Sequence, residues 1–156
     1  MSFRQTFQVL SYLQYPLMAL ALFFAISPYF KGLEQLKANP NTLLQNYNYV
    51  LIFMGLGISF STLQDTTKMQ NELSRKIWQN PKKGKIMIGA ICFSVILFLA
   101  YGIFGYFISD NEQIQELSFG SIVFGIGLIG FLKTALEAFE NHRLDKSRDE
   151  RNQDAP

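Results

Sequence analysis

The sequence predicts an all-α membrane protein: four transmembrane helices in one bundle, with the second and fourth extended into the cytoplasm. Three observations predict it. First, 49% of the 156 residues are apolar and 15% aromatic, with fifteen Phe. Second, the charges are so unevenly spread that windows near the ~18 apolar residues needed to cross a ~30 Å hydrocarbon layer recur four times. These crossings lie at about 7–30, 47–63, 86–108 and 117–132. Third, the connecting segments alternate between basic and base-poor, as the two sides of a membrane require. A net charge of +2 is too small to point to nucleic acid. The single cysteine, Cys92, lies inside an apolar run and can form no internal disulfide.

The first run, 7–30, holds Ala19-Leu20-Ala21, which has the small-x-small look of a signal-peptide cleavage site. The apolar run continues through Leu22, Phe23, Phe24 and Ile26, where cleavage would end it, so a retained helix is expected. Arg4, Gln8, Ser11 and Tyr15 recur at helical spacing, with Gln14 beside them, and form a polar stripe. An unpaired amide is costly in hydrocarbon, so the stripe is expected to face other helices. Pro16 should bend or loosen the helix near its middle.

Ser27-Pro28 reads as a cap followed by a proline at a first helical position. Phe30, Leu33 and Leu36 suit a short surface helix, ended by Asn39-Pro40-Asn41. Thr42 with Gln45 has capping-box spacing and opens the second long helix.

That second crossing, 47–63, is short but uncharged. Gly55 with Ser59, and Gly57 with Ser61, are small-xxx-small pairs that admit a neighbouring helix backbone. The third, 86–108, is the cleanest. The fourth, 117–132, contains Gly125-Ile126-Gly127-Leu128-Ile129-Gly130, a literal GxGxxG. A dinucleotide fingerprint needs a preceding strand and a βαβ unit, and neither pattern is present. Gly120, Ser121, Gly125, Gly127 and Gly130 read instead as a thin helix for others to pack against.

The 64–85 stretch carries Lys68, Arg75, Lys76, Lys82, Lys83 and Lys85, six of the fourteen basic residues, against Asp65 and Glu72. The 109–116 loop has no basic residue and carries Asp110, Glu112 and Glu116. With four crossings, this bias places both termini and the 64–85 stretch inside, in a membrane expected to be a bacterial inner membrane.

Helical patterning continues beyond two of the apolar runs. Met69, Leu73 and Ile77 fall at steps of four, and Glu72 pairs in spacing with Arg75 and Lys76. A continuous helix over 42–79 would be about 57 Å long, stopped by Asn80-Pro81. Leu128, Leu132, Ala135, Phe139 and His142 extend the fourth helix likewise, so two antiparallel extensions are expected to meet near Leu73 and Leu136. From 143 to 156 charges alternate without apolar period, and the tail is expected to be disordered.

No ionisable residue lies in the middle of a crossing, which weakens ion-coupled transport. The lone His142 and lone Cys92 build no metal or haem site, and no catalytic constellation is recognisable. No cofactor is expected. Lys68, Met69, Leu73, Arg75, Lys76, Ile77, Trp78, Lys82, Lys83 and Lys85 form the surface expected to meet anionic lipid or a partner protein. Nucleic acid is not expected there, because Trp78 is the only aromatic available for stacking. The function that fits is an accessory or assembly subunit of a larger membrane complex, made with other subunits or with itself. The alternative is a small oligomeric transporter or channel, with Gln8, Ser11, Gln14 and Tyr15 along its path. An enzyme would have to use Asp110, Glu112 and Glu116 on the outer side, or residues supplied by a partner.

Overall fold

A computed structural model describes residues 3–31, 39, 41–64 and 72–144. Every element among them is helical: α1 (Phe3–Ser11), α2 (Gln14–Ile26) running into a 3-10 turn (Ser27–Lys31), α3 (Asn41–Ser61), α4 (Glu72–Trp78), α5 (Pro81–Ile108) and α6 (Glu112–His142). Three stretches are long and apolar enough to cross a membrane: Gln5–Phe30, Pro81–Ile108 and Glu112–His142. The chain is thus an all-helical membrane protein. α3 has 21 residues and the necessary length, but Asn41, Gln45, Asn46 and Asn48 crowd its first turns, and it is not among the three.

Burial runs opposite to that of a protein folded in water. The fully buried side chains of greatest volume are serines, Ser11, Ser118 and Ser121, whereas Phe107 is 78% exposed. In lipid the apolar exterior carries no penalty, and close packing with satisfied polar groups holds helices together.

The helices lie side by side in the order α2, α3, α6, α5, with the most extensive contacts on the two sides of α6. α3 and α6 run parallel: Asn48 meets Gly120, Gly55 meets Phe124, and Thr62 meets Gly130. α5 runs antiparallel to α6, pairing Gly102 with Ser118 and Leu99 with Gly125. Val95, Phe124 and Leu128 form the apolar centre, flanked by Leu51, Met54, Ile58, Phe98 and Leu99. The Phe98 and Phe124 rings meet edge to face at 4.6 Å.

Four boundaries depart from the hydropathy pattern, each for a local reason. Tyr12 and Leu13 separate α1 from α2, one turn before Pro16. Pro16 has no N–H for the Tyr12 carbonyl, and that carbonyl accepts from Tyr15 N at 3.1 Å in a tighter turn. Second, a continuous helix over 42–79 is not observed, because α3 ends at Ser61 and residues 62–64 form turns. There Ser59 Oγ bonds the Gly55 carbonyl, Ser61 Oγ that of Ile58 and Thr62 Oγ1 that of Ser59, at 2.7–2.8 Å. Such hydroxyls compete with the backbone for helix carbonyls.

The other two boundaries are set by caps. α5 begins at Pro81, ahead of the apolar run at Ile86, since Asn80 Oδ1 accepts from the N–H of Lys82 (3.0 Å) and Lys83 (3.3 Å) and Pro81 takes the first helical position. α6 begins at Glu112 rather than near Leu117, since Asn111 Oδ1 accepts from Gln113 N (3.0 Å) and Ile114 N (3.3 Å). Asn80-Pro81, expected to stop one helix, follows the end of α4 at Trp78 and also starts the next.

Candidate functional site

Two features of the chain are candidates for function: the basic end, and the small-residue faces of the long helices. At the basic end, Lys82, Lys83 and Lys85 occupy the first turns of α5 and are exposed, as are Arg75 and Lys76 on α4. Lysines near a helix N-terminus oppose its dipole, by some 0.3–1 kcal/mol each at an exposed site. Helix stability therefore does not account for their position. Among the described residues two ion pairs occur at this end, Lys133–Glu137 at 3.6 Å and Arg143–Glu140 at 3.4 Å. Among the described residues, no ion pair engages Arg75, Lys76, Lys82, Lys83 or Lys85. Ile77 and Trp78 are half-buried beside them. Lys68, Met69 and the Leu73 side chain, together with Leu33 and Leu36, lie outside the described residues.

The last helix closes on the turn between α4 and α5. Buried Phe139 lies against Gly84, where a side chain would collide with its ring. The Arg143 guanidinium stands over the same ring, 5.8 Å from its centre and within cation–π range. Leu144 N donates to the Gln79 carbonyl at 3.3 Å. Leu136, expected to face Leu73, is exposed, and Phe139 is the residue of that stretch that packs inward. The spacing of Gly84 and Phe139 in sequence carries no sign of their contact.

The small residues divide between two faces of α6. Toward α3, Gly127 lies on the Gly55 carbonyl, and a Cβ at Gly55 would stand 2.7 Å from the Phe124 Cα. Gly130 abuts Thr62. Toward α5, Gly125 receives Leu99, and Ser121 Oγ donates to the Phe98 carbonyl at 2.9 Å, a bond between helices. Gly57 lies against Met18 and the Gln14 carbonyl of α2. Ser59 and Ser61, by contrast, bond carbonyls of their own helix.

The polar stripe of the first helix does not remain one line. Ser11 is fully buried and its Oγ bonds the Gln8 carbonyl at 2.8 Å. Gln8 and Gln14 are half-buried, whereas Tyr15 is 63% exposed and stacks on Tyr12. The tightened turns at Tyr12–Leu13 shift the helical phase between Ser11 and Tyr15.

Gly89 of α5 differs from all other described glycines. Nine of the ten have a neighbouring atom within 4 Å of an added Cβ, and Gly89 has none. It lies on an exposed face with Lys82, Ile86, Phe93 and Ile96. Exposed Cys92 is on the same helix.

Among the described residues there is no group of three or more His, Cys, Asp or Glu side chains placed to hold a metal ion. No family model matches the sequence, and neither the curated proteins nor the solved structures contain a match.

Proposed function

We propose that the chain is an accessory or assembly subunit of a larger membrane complex, which it joins through the Gly89 face of α5. In this reading it crosses an inner membrane four times, α3 being the second crossing. At the polar start of α3, Asn46 is accommodated within the chain, accepting from Ser27 Oγ at 2.9 Å and donating to the Thr42 carbonyl at 2.7 Å, and Asn48 packs against Gly120 of α6. Both termini and α4 are cytoplasmic, following the excess of basic residues over 64–85. Arg75, Lys76, Lys82, Lys83 and Lys85, which pair with no acidic side chain among the described residues, then lie at the inner leaflet, where each adds about 1 kcal/mol of attraction to anionic headgroups.

The observation that carries the reading is the contrast at Gly89. The chain uses its other described helical glycines to bring its own helices together, and Gly89 offers the same close approach with no occupant from this chain. A partner helix in lipid is recognised by such small-residue faces. Affinity purification of the native-level protein from its own membranes, followed by mass spectrometry, tests this. A membrane protein should co-purify in fixed stoichiometry and be lost from Gly89→Leu, while the melting temperature of the isolated variant does not fall. Recovery of the wild-type chain alone, as a monomer, refutes the subunit reading.

A further inference from the structure

The exposed face of α5 changes character along its length. Ile86, Phe93 and Ile96 surround Gly89 and are 72%, 66% and 62% exposed. At the inner end the same face carries Lys82 and Lys85, both exposed. At about 100° per residue, each lies within about 40° of Gly89 around the helix axis, whereas Lys83 is turned away by about 120°. Among the described residues no acidic side chain pairs with Lys82 or Lys85. Both also stand in the first turns of the helix, where a cation opposes the dipole. A helix seated on Gly89 must pass these charges about one and two turns further on.

The buried side of α5 shows what such an end accepts. α6 packs there antiparallel, with Gly84 against Phe139 and Gly102 against Ser118. The negative end of the α6 dipole thus lies beside the basic start of α5, and Glu137 and Glu140 occupy the last turns of α6. Those carboxylates pair with Lys133 and Arg143 of α6 itself, and not with Lys82 or Lys85.

A second copy of this chain does not fit the face. A two-fold axis along the membrane normal would lay α5 parallel to its copy, bringing four lysines and two positive helix ends together. A bilayer alone does not account for Gly89 either. Anionic headgroups attract lysines on any side of the helix, and acyl chains need no close backbone approach, whereas a packed helix does.

We propose, building on the subunit reading, that the Gly89 face receives a transmembrane helix of another protein, antiparallel to α5 and bearing Asp or Glu at its inner, C-terminal end. The glycine admits its backbone, and Lys82 and Lys85 select its charge and direction.

Photo-cross-linking in the native membrane tests this, with p-benzoylphenylalanine in place of Ile86 or Phe93 in the full chain and mass spectrometry of the adduct. The adduct should contain a helix of another protein whose C-terminal end lies at the Lys82 level and carries a carboxylate within a turn. Dilution of the complex formed with that protein then gives its affinity. Lys82→Gln with Lys85→Gln should weaken it by about three- to tenfold, as expected for two exposed ion pairs. Lys83→Gln, which removes a charge from the same turn on another side, should leave it unchanged. Exchanging the charges, Lys82→Glu and Lys85→Glu against lysine at the partner's acidic position, should restore binding. An adduct with a second copy, with lipid alone, or with a helix that is parallel or lacks the acid overturns the proposal. So does an equal effect of Lys83→Gln, which would indicate attraction to headgroups. A partner lost from Gly89→Leu but indifferent to the two-lysine variant overturns this proposal and leaves the subunit reading standing. Recovery of the wild-type chain alone, as a monomer, overturns both.

Discussion

α5 and α6 are both of membrane-crossing length and composition, yet they occupy opposite roles. In their most apolar stretches 39% of α6 is buried and only 17% of α5. α5 is the more apolar of the two, with a mean hydropathy of 2.5 against 1.8. In water the more apolar helix would take the centre; in lipid that preference vanishes, and the helix that lets backbones approach takes it. α6 does so on two sides, through Gly120, Phe124 and Gly127 toward α3 and through Ser118, Ser121 and Gly125 toward α5. α5 returns that contact along Gly102 and Gly105 and leaves Gly89 facing outward. Small residues, not hydrophobicity, assign the interior.

The comparison breaks most readily at the α3–α6 seam. Gly127→Val places two methyl groups and a Cβ against the Gly55 carbonyl, a backbone atom that cannot rotate aside. Overpacking costs ~1–3 kcal/mol where side chains can yield; here the loss should be at the upper end, about 3 kcal/mol by denaturant unfolding in mixed micelles. A loss below that of a surface substitution would mean that the two backbones are not in contact. On the opposite face of α6 the effect is smaller. Ser121→Ala removes the bond to the Phe98 carbonyl, and interhelical hydrogen bonds in membranes contribute about 0.6 to 1.7 kcal/mol. The same titration should show a loss near 1 kcal/mol.

Much of this arrangement was legible in the sequence, and what was not has identifiable causes. The helical class and the apolar runs follow from composition, because lipid leaves few alternatives to a helix. The fingerprint-like Gly125, Gly127 and Gly130 could be recognised as packing residues from the missing strand before them. Helix limits were not visible to hydropathy, since Asn80 and Asn111 cap in polar sequence before the apolar residues start. The reading of 42–79 as one helix neglected Ser59, Ser61 and Thr62, whose hydroxyls engage the last carbonyls of α3. The polar stripe was drawn on an unbroken helix, so Tyr15 was grouped with Ser11, although Pro16 moves it outward. The partners of Asn48 and Gly84 depend on which helices become neighbours, and no spacing in the chain encodes that.

The finest test of the comparison reverses the sign of the substitution. Glycine in a helix interior is about 0.8–1 kcal/mol less favourable than alanine, before packing is considered. At Gly89 nothing lies within 4 Å of the added methyl group, so Gly89→Ala should stabilise the isolated chain by up to about 1 kcal/mol. At Gly55 the same change meets the Phe124 backbone and should destabilise. Two alanine variants of equal chemistry would then move in opposite directions on one unfolding curve. If Gly89→Ala also destabilises the purified monomer, the outer face of α5 is already covered by the chain itself, and no place for a partner helix is left there. If it stabilises the monomer but weakens co-purification, the glycine is retained for a contact made outside the chain, against its own helix propensity.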